Sequence, residues 1–270
     1  MVKNRKTLRV LSLGAGVQSS TLALMIEKGE IPMVNCAIFA DTQGEPKKVY
    51  DHLDWLEKQL SYPVYRVTKG NLKEDTLNAI KNNVNVAMSP FFTKNKITGK
   101  KGIMMRQCTN NYKIMPLIKE IRRLLGVGYR KRVPKNTMVT QIFGISYDEL
   151  TRMRIAPKKY LTYEYPLVEL KIKRHQCLDW MKKNGYPEPP RSACTFCPYH
   201  SNKEWKIIKE NKEEWNDVTA FDEKIRNGFE KVKDELYLHR SAEPIKDANL
   251  EDKDANQLSL LDECDGMCGV

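Results

Sequence analysis

Four cysteines have the spacing and chemistry of a metal site. Cys194-Thr-Phe-Cys197 places two thiols on one tight loop, where both can reach the same metal ion, and Pro198 stiffens that loop. Cys108 and Cys177 can complete a set of four thiolate ligands. This set predicts an iron–sulfur cluster or a zinc ion, and the alternative is that the residues are small buried thiols without a metal.

Two further cysteines, Cys264 and Cys268, lie in an acidic segment, 241–270, that we expect to be a loosely held tail. A thiol on a mobile tail can enter a site and attack sulfur, as the nucleophile or as a resolving thiol. Metal binding and a disulfide are the alternatives. Because the first residues do not have the pattern of a signal peptide, we expect a cytoplasmic protein, in which cysteines serve metals or catalysis more often than disulfides.

A glycine-containing turn at 14–21 separates a predicted buried strand from a predicted helix. Small residues allow the backbone to approach a phosphate, and the N–H groups at a helix N-terminus stabilise negative charge. The turn is neither a P-loop nor the Gly-x-Gly-x-x-Gly dinucleotide motif. It predicts a phosphate site, and the alternative is a tight turn with no ligand. The candidate contacts are Ser12, Gly14, Ala15, Gly16, Gln18, Ser19 and Ser20.

Alternating strands and helices must position these residues, and the order predicts an α/β protein with a doubly wound, mostly parallel sheet. In such a sheet, ligands bind at the carboxyl ends of the strands. The predicted strands are 8–13, 34–40, 64–67 and 137–144. The predicted helices are 18–28, 46–60, 71–80, one within 108–125, 173–184, 201–211 and 213–225.

We expect three regions along the chain. A nucleotide-binding α/β domain occupies 1–155 and includes a basic flap at about 83–135, of which residues 83–108 are expected to be irregular and mobile. A helical region at 156–240 carries the Cys-x-x-Cys loop, and the acidic, cysteine-containing tail follows it.

Positive charge is concentrated in one segment. The chain has a net charge of +12, and segment 94–135 alone contains 13 Lys and Arg residues against one acid, Glu120. Such a block predicts a polyanionic partner, either a nucleotide or a nucleic acid, and the alternative is a solvated lysine-rich surface. No apolar run approaches the roughly 18 residues that span a bilayer, so we expect no membrane partner.

The turn at 14–21 resembles the pyrophosphatase loop (PP-loop) of the adenine-nucleotide α-hydrolase superfamily, Ser-Gly-Gly-x-Asp-Ser-Ser/Thr. Gly16, Ser19 and Ser20 agree with that pattern, whereas Gln18 replaces its Asp. Gly14 and Ala15 likewise replace its first Ser and Gly. The resemblance implies a nucleotide-binding fold with ATP as the expected ligand. Magnesium is a further cofactor of such sites, and the replacement of the Asp by Gln18 argues against a magnesium-assisted role at that position.

Four further stretches resemble the phosphoadenylyl-sulfate (PAPS) reductase branch and related sulfur-transfer enzymes, and the resemblance covers roughly residues 7–200. The stretch at 39–45 implies that Phe39, Asp41 and Thr42 lie beside the nucleotide, and the stretch at 144–152 implies the same for Gly144. The other two are the stretch at 106–116, around Cys108, and the stretch at 165–197, which closes the family domain over the Cys-x-x-Cys loop.

The resemblance also implies roles for charged and thiol groups. Lys113, Arg106 and Arg152 are expected to neutralise the charge that develops during group transfer. Cys108, Cys194 and Cys197 are favoured as ligands of an iron–sulfur cluster, expected to be of the 4Fe-4S type, with Cys177 as our choice of the fourth ligand. Glu263-Cys264 resembles a catalytic Glu-Cys-Gly of the reductases, although Asp265 precedes the glycine here.

Two reactions are compatible with these features. We expect ATP-dependent sulfur transfer onto a nucleic acid, tRNA or DNA, bound through 94–135, with a sulfur donor as a further partner. The alternative is a reductase of PAPS or adenylyl sulfate (APS), in which a cysteine attacks the sulfur and a thioredoxin-like reductant regenerates the thiol. A third hypothesis is a nucleotide-binding sensor without catalysis, because three loop positions depart from the family pattern.

Overall fold

The computed structural model describes residues 6–84, 89–128, 130–229 and 232–251. The strands are β1 (Lys6–Leu13), β2 (Cys36–Asp41), β3 (Val64–Thr68), β4 (Phe92–Lys94), β5 (Lys101–Ile103), β6 (Thr137–Phe143), β7 (Leu161–Glu164) and β8 (Glu235–Tyr237). The helices are α1 (Val17–Glu27), α2 (Lys47–Glu57), α3 (Leu72–Lys81), α4 (Met115–Leu124), α5 (Pro166–Glu169), α6 (Arg174–Lys183), α7 (Asn202–Glu210) and α8 (Lys212–Ile225).

Five parallel strands form the main sheet in the order β3-β2-β1-β6-β7. The predicted α/β fold with a doubly wound parallel sheet is therefore confirmed. The central strand β1 is apolar on both faces, since Leu11 packs with α1 and α6 while Val10 packs on the opposite face with residues of α4. A strand covered on both faces reads as a continuous apolar run, which is why β1 was predictable from its sequence.

Helix α1 is buried along almost its whole length, from Val17 to Ile26. It lies between the sheet and α6, and its polar residues near the N-terminus are therefore buried as well. Helix α7 is capped by Ser201, whose hydroxyl accepts from the Glu204 N–H while the Glu204 carboxylate accepts from the Ser201 N–H. This capping box, predicted from the sequence, fixes the start of the helix that follows the Cys-x-x-Cys loop.

The expected domain boundary at 155 does not coincide with the edge of the sheet. Strand β7 lies beyond that position and pairs with β6, from Val139–Leu161 to Ile142–Glu164. The sheet needs this strand to cover β6, and helix α6 also packs on the core of the sheet through Met181. The α/β unit therefore extends past 155.

The described residues of the expected flap, 83–135, form three different elements, which are a hairpin, a π-helical turn and helix α4. Strands β4 and β5 form a hairpin, and β4 also pairs with β8 from the far end of the chain. Phe91 anchors this hairpin in a second core that includes Trp205 and Phe221. A π-helical turn, Thr109–Ile114, then leads into α4, which covers the sheet. Buried aromatic side chains thus override the basic composition of the segment.

None of the helices among the described residues is long and apolar enough to cross a membrane.

Candidate functional site

A cleft lies where the strand order reverses, because β2 and β3 extend from one side of β1 while β6 and β7 extend from the other. Ligands of open α/β sheets bind at this position, outside the carboxyl ends of the strands. The cleft has a volume of about 30 Å³. Its lining residues are Ser12, Gly14, Gly16, Val17, Gln18, Ser19, Phe143, Gly144, Ile145, Arg174, Arg191 and Ser192.

The glycine turn is held tightly against the end of β6. A Cβ atom on Gly144 would lie 2.7 Å from both Cα and N of Ser19, so a side chain at that position would displace the first turn of α1. Ala15 is fully buried and has φ of +57°. A non-glycine residue in the left-handed region costs roughly 1–2 kcal/mol, and such strain at a ligand loop is typical of a conformation set by its neighbours.

The two neighbouring serines of the turn differ. Ser19 lines the cleft, and its Oγ accepts from the Gly14 N–H at 3.2 Å and donates to the Gly16 carbonyl at 3.3 Å. Ser20 is fully buried, and a hydrogen bond of 2.9 Å joins its Oγ to His52 Nε2. The predicted side-chain contact of Ser20 with a nucleotide is therefore wrong, because its hydroxyl is used inside the protein.

Gln18 connects the turn to two charged residues. Its Nε2 donates to Glu149 Oε2 at 3.0 Å, and its Oε1 accepts from Arg174 Nη1 at 2.9 Å. Glu149 also accepts from Arg152 Nη1 at 2.6 Å. Arg152 is 3% exposed and does not line the cleft. It is therefore not placed to contact the transferred group directly, as expected from the sequence, and it holds the Glu149 carboxylate instead.

Arg174, Arg191 and Ser192 are cleft residues that the sequence did not reveal. Arg174 opens α6, and Arg191 precedes the Cys-x-x-Cys loop and forms an ion pair with Glu204. Two arginines beside a helix N-terminus make the cleft suitable for a phosphate or sulfate group. Their distance in sequence from the glycine turn, about 160 residues or more, left no local pattern from which to predict them.

The residues at the end of β2 and directly after it do not line the cleft. The Phe39 side chain is 2% exposed and belongs to the core. Asp41 accepts from the Tyr50 hydroxyl at 2.8 Å, and a hydrogen bond of 3.0 Å joins Thr42 Oγ1 to Cys194 Sγ. The Phe39 side chain therefore packs in the core, its expected place beside a nucleotide stays a prediction, and Thr42 contacts the cysteine loop.

The cysteine loop packs directly on the chain after β2. The Thr195 N–H donates to the Gly44 carbonyl at 2.8 Å, and a Cβ atom on Gly44 would lie 2.7 Å from the ring of Phe196. The Cys197 N–H donates to the Cys194 carbonyl at 2.9 Å, which closes the tight turn predicted from the spacing. The two segments can approach this closely only because residue 44 is a glycine.

A buried ion pair lies beside Cys194. Lys113 Nζ lies 3.5 Å from Glu45 Oε1, and Ser192 Oγ donates to Glu45 Oε2 at 3.1 Å. Burial raises the pKa of the Cys194 thiol well above its usual value, and the charge of Glu45 raises that pKa further, while Lys113 acts in the opposite direction. Lys113 therefore faces the thiol and Glu45, and it is not among the residues that line the cleft.

The structure brings Cys108 and Cys194 together but leaves Cys177 elsewhere. Cys108 also raises the pKa of Cys194, and both pack against the second core. Cys177 lies beneath α1, in the core of the sheet that includes Leu11 and Met181, where burial raises its pKa to about 12. The assignment of Cys177 as a fourth ligand is therefore wrong. Within the described residues, no group of three or more Cys, His, Asp or Glu side chains has a geometry that could hold a metal ion.

The remaining predicted residues lie away from the cleft or outside the described residues. Arg106 lies over the ring of Tyr199, with its guanidinium carbon 5.8 Å from the ring centroid. Cys264 and Cys268 belong to the part of the chain that the structure does not describe, so their expected catalytic role stays a prediction.

The comparisons with known proteins find similarity among solved structures. No family model matches the sequence, and a search of the curated proteins finds no match. The chain is similar in structure to phosphoadenylyl-sulfate (PAPS) reductase from Candida auris in a phosphate complex, with 14% identity and a TM-score of 0.42 over 70% of this chain and 77% of that one.

Proposed function

We propose that this protein is an enzyme that binds an adenine nucleotide by its phosphate or sulfate end and carries out sulfur chemistry at the neighbouring cysteines. The observation that supports this most is a chain of polar contacts that connects the anion-binding cleft to Cys194. Ser192 lines the cleft and donates to Glu45, and Glu45 pairs with Lys113 beside Cys194. An anion site and a thiol site thus share one hydrogen-bonded connection.

The cleft supplies the groups that bind negative charge. The N-terminal N–H groups of α1, the Ser19 hydroxyl and the two arginine guanidinium groups can surround a phosphate or sulfate. Because these donors are held by the strand ends and by Gly144, they need little rearrangement when charge develops during group transfer.

The thiol half of the site supplies a nucleophile and a means to handle its proton. Cys194 is protonated at neutral pH because its pKa is raised. Glu45, which raises that pKa, lies beside the thiol and can accept its proton, and Lys113 stabilises the thiolate that remains.

Two reactions use these groups. In the first, ATP adenylates an oxygen of a nucleic acid with release of pyrophosphate, and a sulfur nucleophile then displaces AMP. The exposed cations of 94–135, among them Lys131 and Arg132, favour this reaction because they suit a polyanionic acceptor. In the second, a thiolate attacks the sulfur of PAPS or APS and releases the adenosine phosphate. A second thiol then attacks the S-sulfocysteine, forms a disulfide and releases sulfite.

Both reactions can proceed through these groups without a step on an iron–sulfur cluster. The described residues do not form the four-cysteine site expected from the sequence, since Cys177 lies in another core. We therefore assign no step to a cluster. Cys194, the cysteine beside Glu45, reacts as a thiol.

Product analysis tests the proposal. The full chain is incubated with ATP and tRNA or duplex DNA, or with PAPS or APS and dithiothreitol, and pyrophosphate and sulfite are measured. Pyrophosphate supports the transferase and sulfite supports the reductase. Cys194→Ser should abolish sulfite release but leave the pyrophosphate that adenylation releases, whereas Cys36→Ala, in a core position of β2, should retain both activities if it folds. Binding of no adenine nucleotide, or sulfite release that is unchanged in Cys194→Ser, would refute the proposal.

A further inference from the structure

Gln18 occupies the position at which the PP-loop pattern has an aspartate, and both polar atoms of its amide are hydrogen-bonded. The nitrogen donates to Glu149 and the oxygen accepts from Arg174, at 3.0 and 2.9 Å. Only one orientation of the amide makes both bonds, because its nitrogen cannot accept and its oxygen cannot donate. An aspartate would lack the donor for Glu149 and would carry a charge of the same sign.

Glu149 is in turn held from its other side. Its Oε1 accepts from the buried Arg152 at 2.6 Å, and its Oε2 accepts from the Ser146 hydroxyl at 3.3 Å. Charge-assisted bonds of this length are strong and directional. Glu149 therefore sets the orientation of Gln18, and Gln18 presents its oxygen to Arg174.

The lining of the cleft does not suit a protein-held magnesium ion. Mg²⁺ in nucleotide sites is usually bound through one or two carboxylates together with the phosphates. Among the described residues that line this cleft there is no Asp or Glu, whereas there are two arginines, Arg174 and Arg191. Glu149 is hydrogen-bonded to the turn through Gln18, and its carboxylate accepts from both Gln18 and Arg152.

We propose that Gln18 is a specificity-determining residue. Glu149, acting through the Gln18 amide, positions the Arg174 guanidinium in the cleft, and the cleft binds the charged end of its ligand as the free anion without a divalent cation. This inference rests on the proposed function, because it concerns the same cleft. It names the ligand class as an anion that is not complexed with magnesium, and it assigns Glu149 and Gln18 as positioning residues for Arg174.

Calorimetric titration of the full chain with inorganic pyrophosphate tests the charge argument. We expect the affinity in EDTA to equal or exceed the affinity in excess Mg²⁺, because the metal neutralises the charge that Arg174 recognises. Pyrophosphate binding that appears only when Mg²⁺ is added would overturn the inference.

Two substitutions test the role of the network. Arg174→Gln should weaken pyrophosphate binding about tenfold, and Arg174→Lys should recover part of the loss. Gln18→Asp should weaken binding in EDTA by a similar factor and make it responsive to Mg²⁺, because it removes the donor to Glu149 and adds a carboxylate. Lys183→Gln, an exposed change on the same helix, is the matched control and should change nothing. Unchanged affinity in Gln18→Asp or Arg174→Gln, with thermal unfolding showing a folded variant, would contradict the assignment.

Adenine nucleotides separate this inference from the proposed function. If pyrophosphate binds in EDTA but ADP, ATP and PAPS bind no more tightly than it does, the inference stands and the nucleotide assignment fails. If the nucleotides bind only with Mg²⁺, the proposed function stands and the inference fails.

Discussion

Ser19 and Ser20 are adjacent in the sequence, but their hydroxyl groups lie in different environments. Ser19 Oγ bridges Gly14 and Gly16 at the cleft, whereas Ser20 Oγ is hydrogen-bonded to His52 inside the core. Side-chain direction, which is set by the helical turn, therefore determines which of two identical residues can meet a ligand.

Separate alanine substitutions should distinguish the two serines. Ser19→Ala should weaken nucleotide binding several-fold, because it removes the hydroxyl that links Gly14 and Gly16 at the cleft. Ser20→Ala should lower the free energy of unfolding by about 1–3 kcal/mol, because it leaves a buried imidazole nitrogen without this partner, and should leave affinity nearly unchanged. Calorimetric titration and urea unfolding of both variants measure the two effects. Equal losses of affinity would contradict the assignment.

The glycine turn was predictable at the residue scale because its signal is local. Small residues placed between an apolar strand and the start of a helix are typical of a turn that can approach a phosphate. Arg174 and Arg191 were not predictable, since they reach the cleft only after the sheet and α6 have packed. Cys177 was misassigned because sequence spacing cannot distinguish a thiol that points into a core from one that faces other thiols.

At the scale of elements, the site depends on how closely two chain segments approach. The segment after β2 contacts the Cys-x-x-Cys loop through the Thr195–Gly44 and Thr42–Cys194 hydrogen bonds. The sequence indicated the strand and the loop separately. Their contact is a tertiary feature that periodicity cannot report, and so is the pairing of β4 with β8.

Gly44→Ala tests whether this contact controls the thiol. The added Cβ would lie 2.7 Å from the Phe196 ring, so the cysteine loop must move. We expect Cys194 to react with iodoacetamide faster than in the natural protein, because displacement exposes the thiol and lessens the burial that raises its pKa. Gly128→Ala is the control, since its Cβ would make only an ordinary contact at 3.6 Å. Equal labelling of Cys194 in both variants, measured by mass spectrometry, would argue against tight docking.

At the scale of the whole molecule, three buried histidines make stability dependent on pH. Burial lowers the pKa of His52 to about 4, of His239 to about 4 and of His200 to about 3. In the unfolded chain a histidine has a pKa near 6.5. The unfolded state therefore binds more protons below that value, and the stability of the native state falls as the pH decreases from about 6.5 toward 4.

Urea unfolding at pH 7 and pH 5 measures this loss. Each histidine can contribute at most about 1.4 kcal/mol per pH unit, so the natural protein should lose several kcal/mol between the two values. His52→Gln removes one titrating group and should show a smaller loss than the natural protein. A loss that is the same in the variant would show that His52 is not the neutral buried group described here.

The basic residues of 94–135 are distributed over several elements, and many are exposed. Lys131 and Arg132 lie on the exposed loop after α4, which connects to β6, the strand that ends at the cleft. A nucleic acid bound at such a loop contacts the protein mainly through phosphates, and each phosphate contact releases counterions from the nucleic acid. Binding should therefore weaken steeply with salt, whichever reaction the cleft performs.

Charge reversal on this loop tests the nucleic-acid partner. Lys131→Glu with Arg132→Glu should weaken binding of tRNA or duplex DNA and reduce the slope of log affinity against log salt by about 2, because two phosphate contacts are lost. Lys182→Glu with Lys183→Glu makes the same change in net charge on the exposed end of α6 and should leave the slope unchanged. Fluorescence anisotropy over a salt series measures both. Equal effects of the two pairs would show that net charge alone governs binding, and the loop would then be ordinary solvated surface.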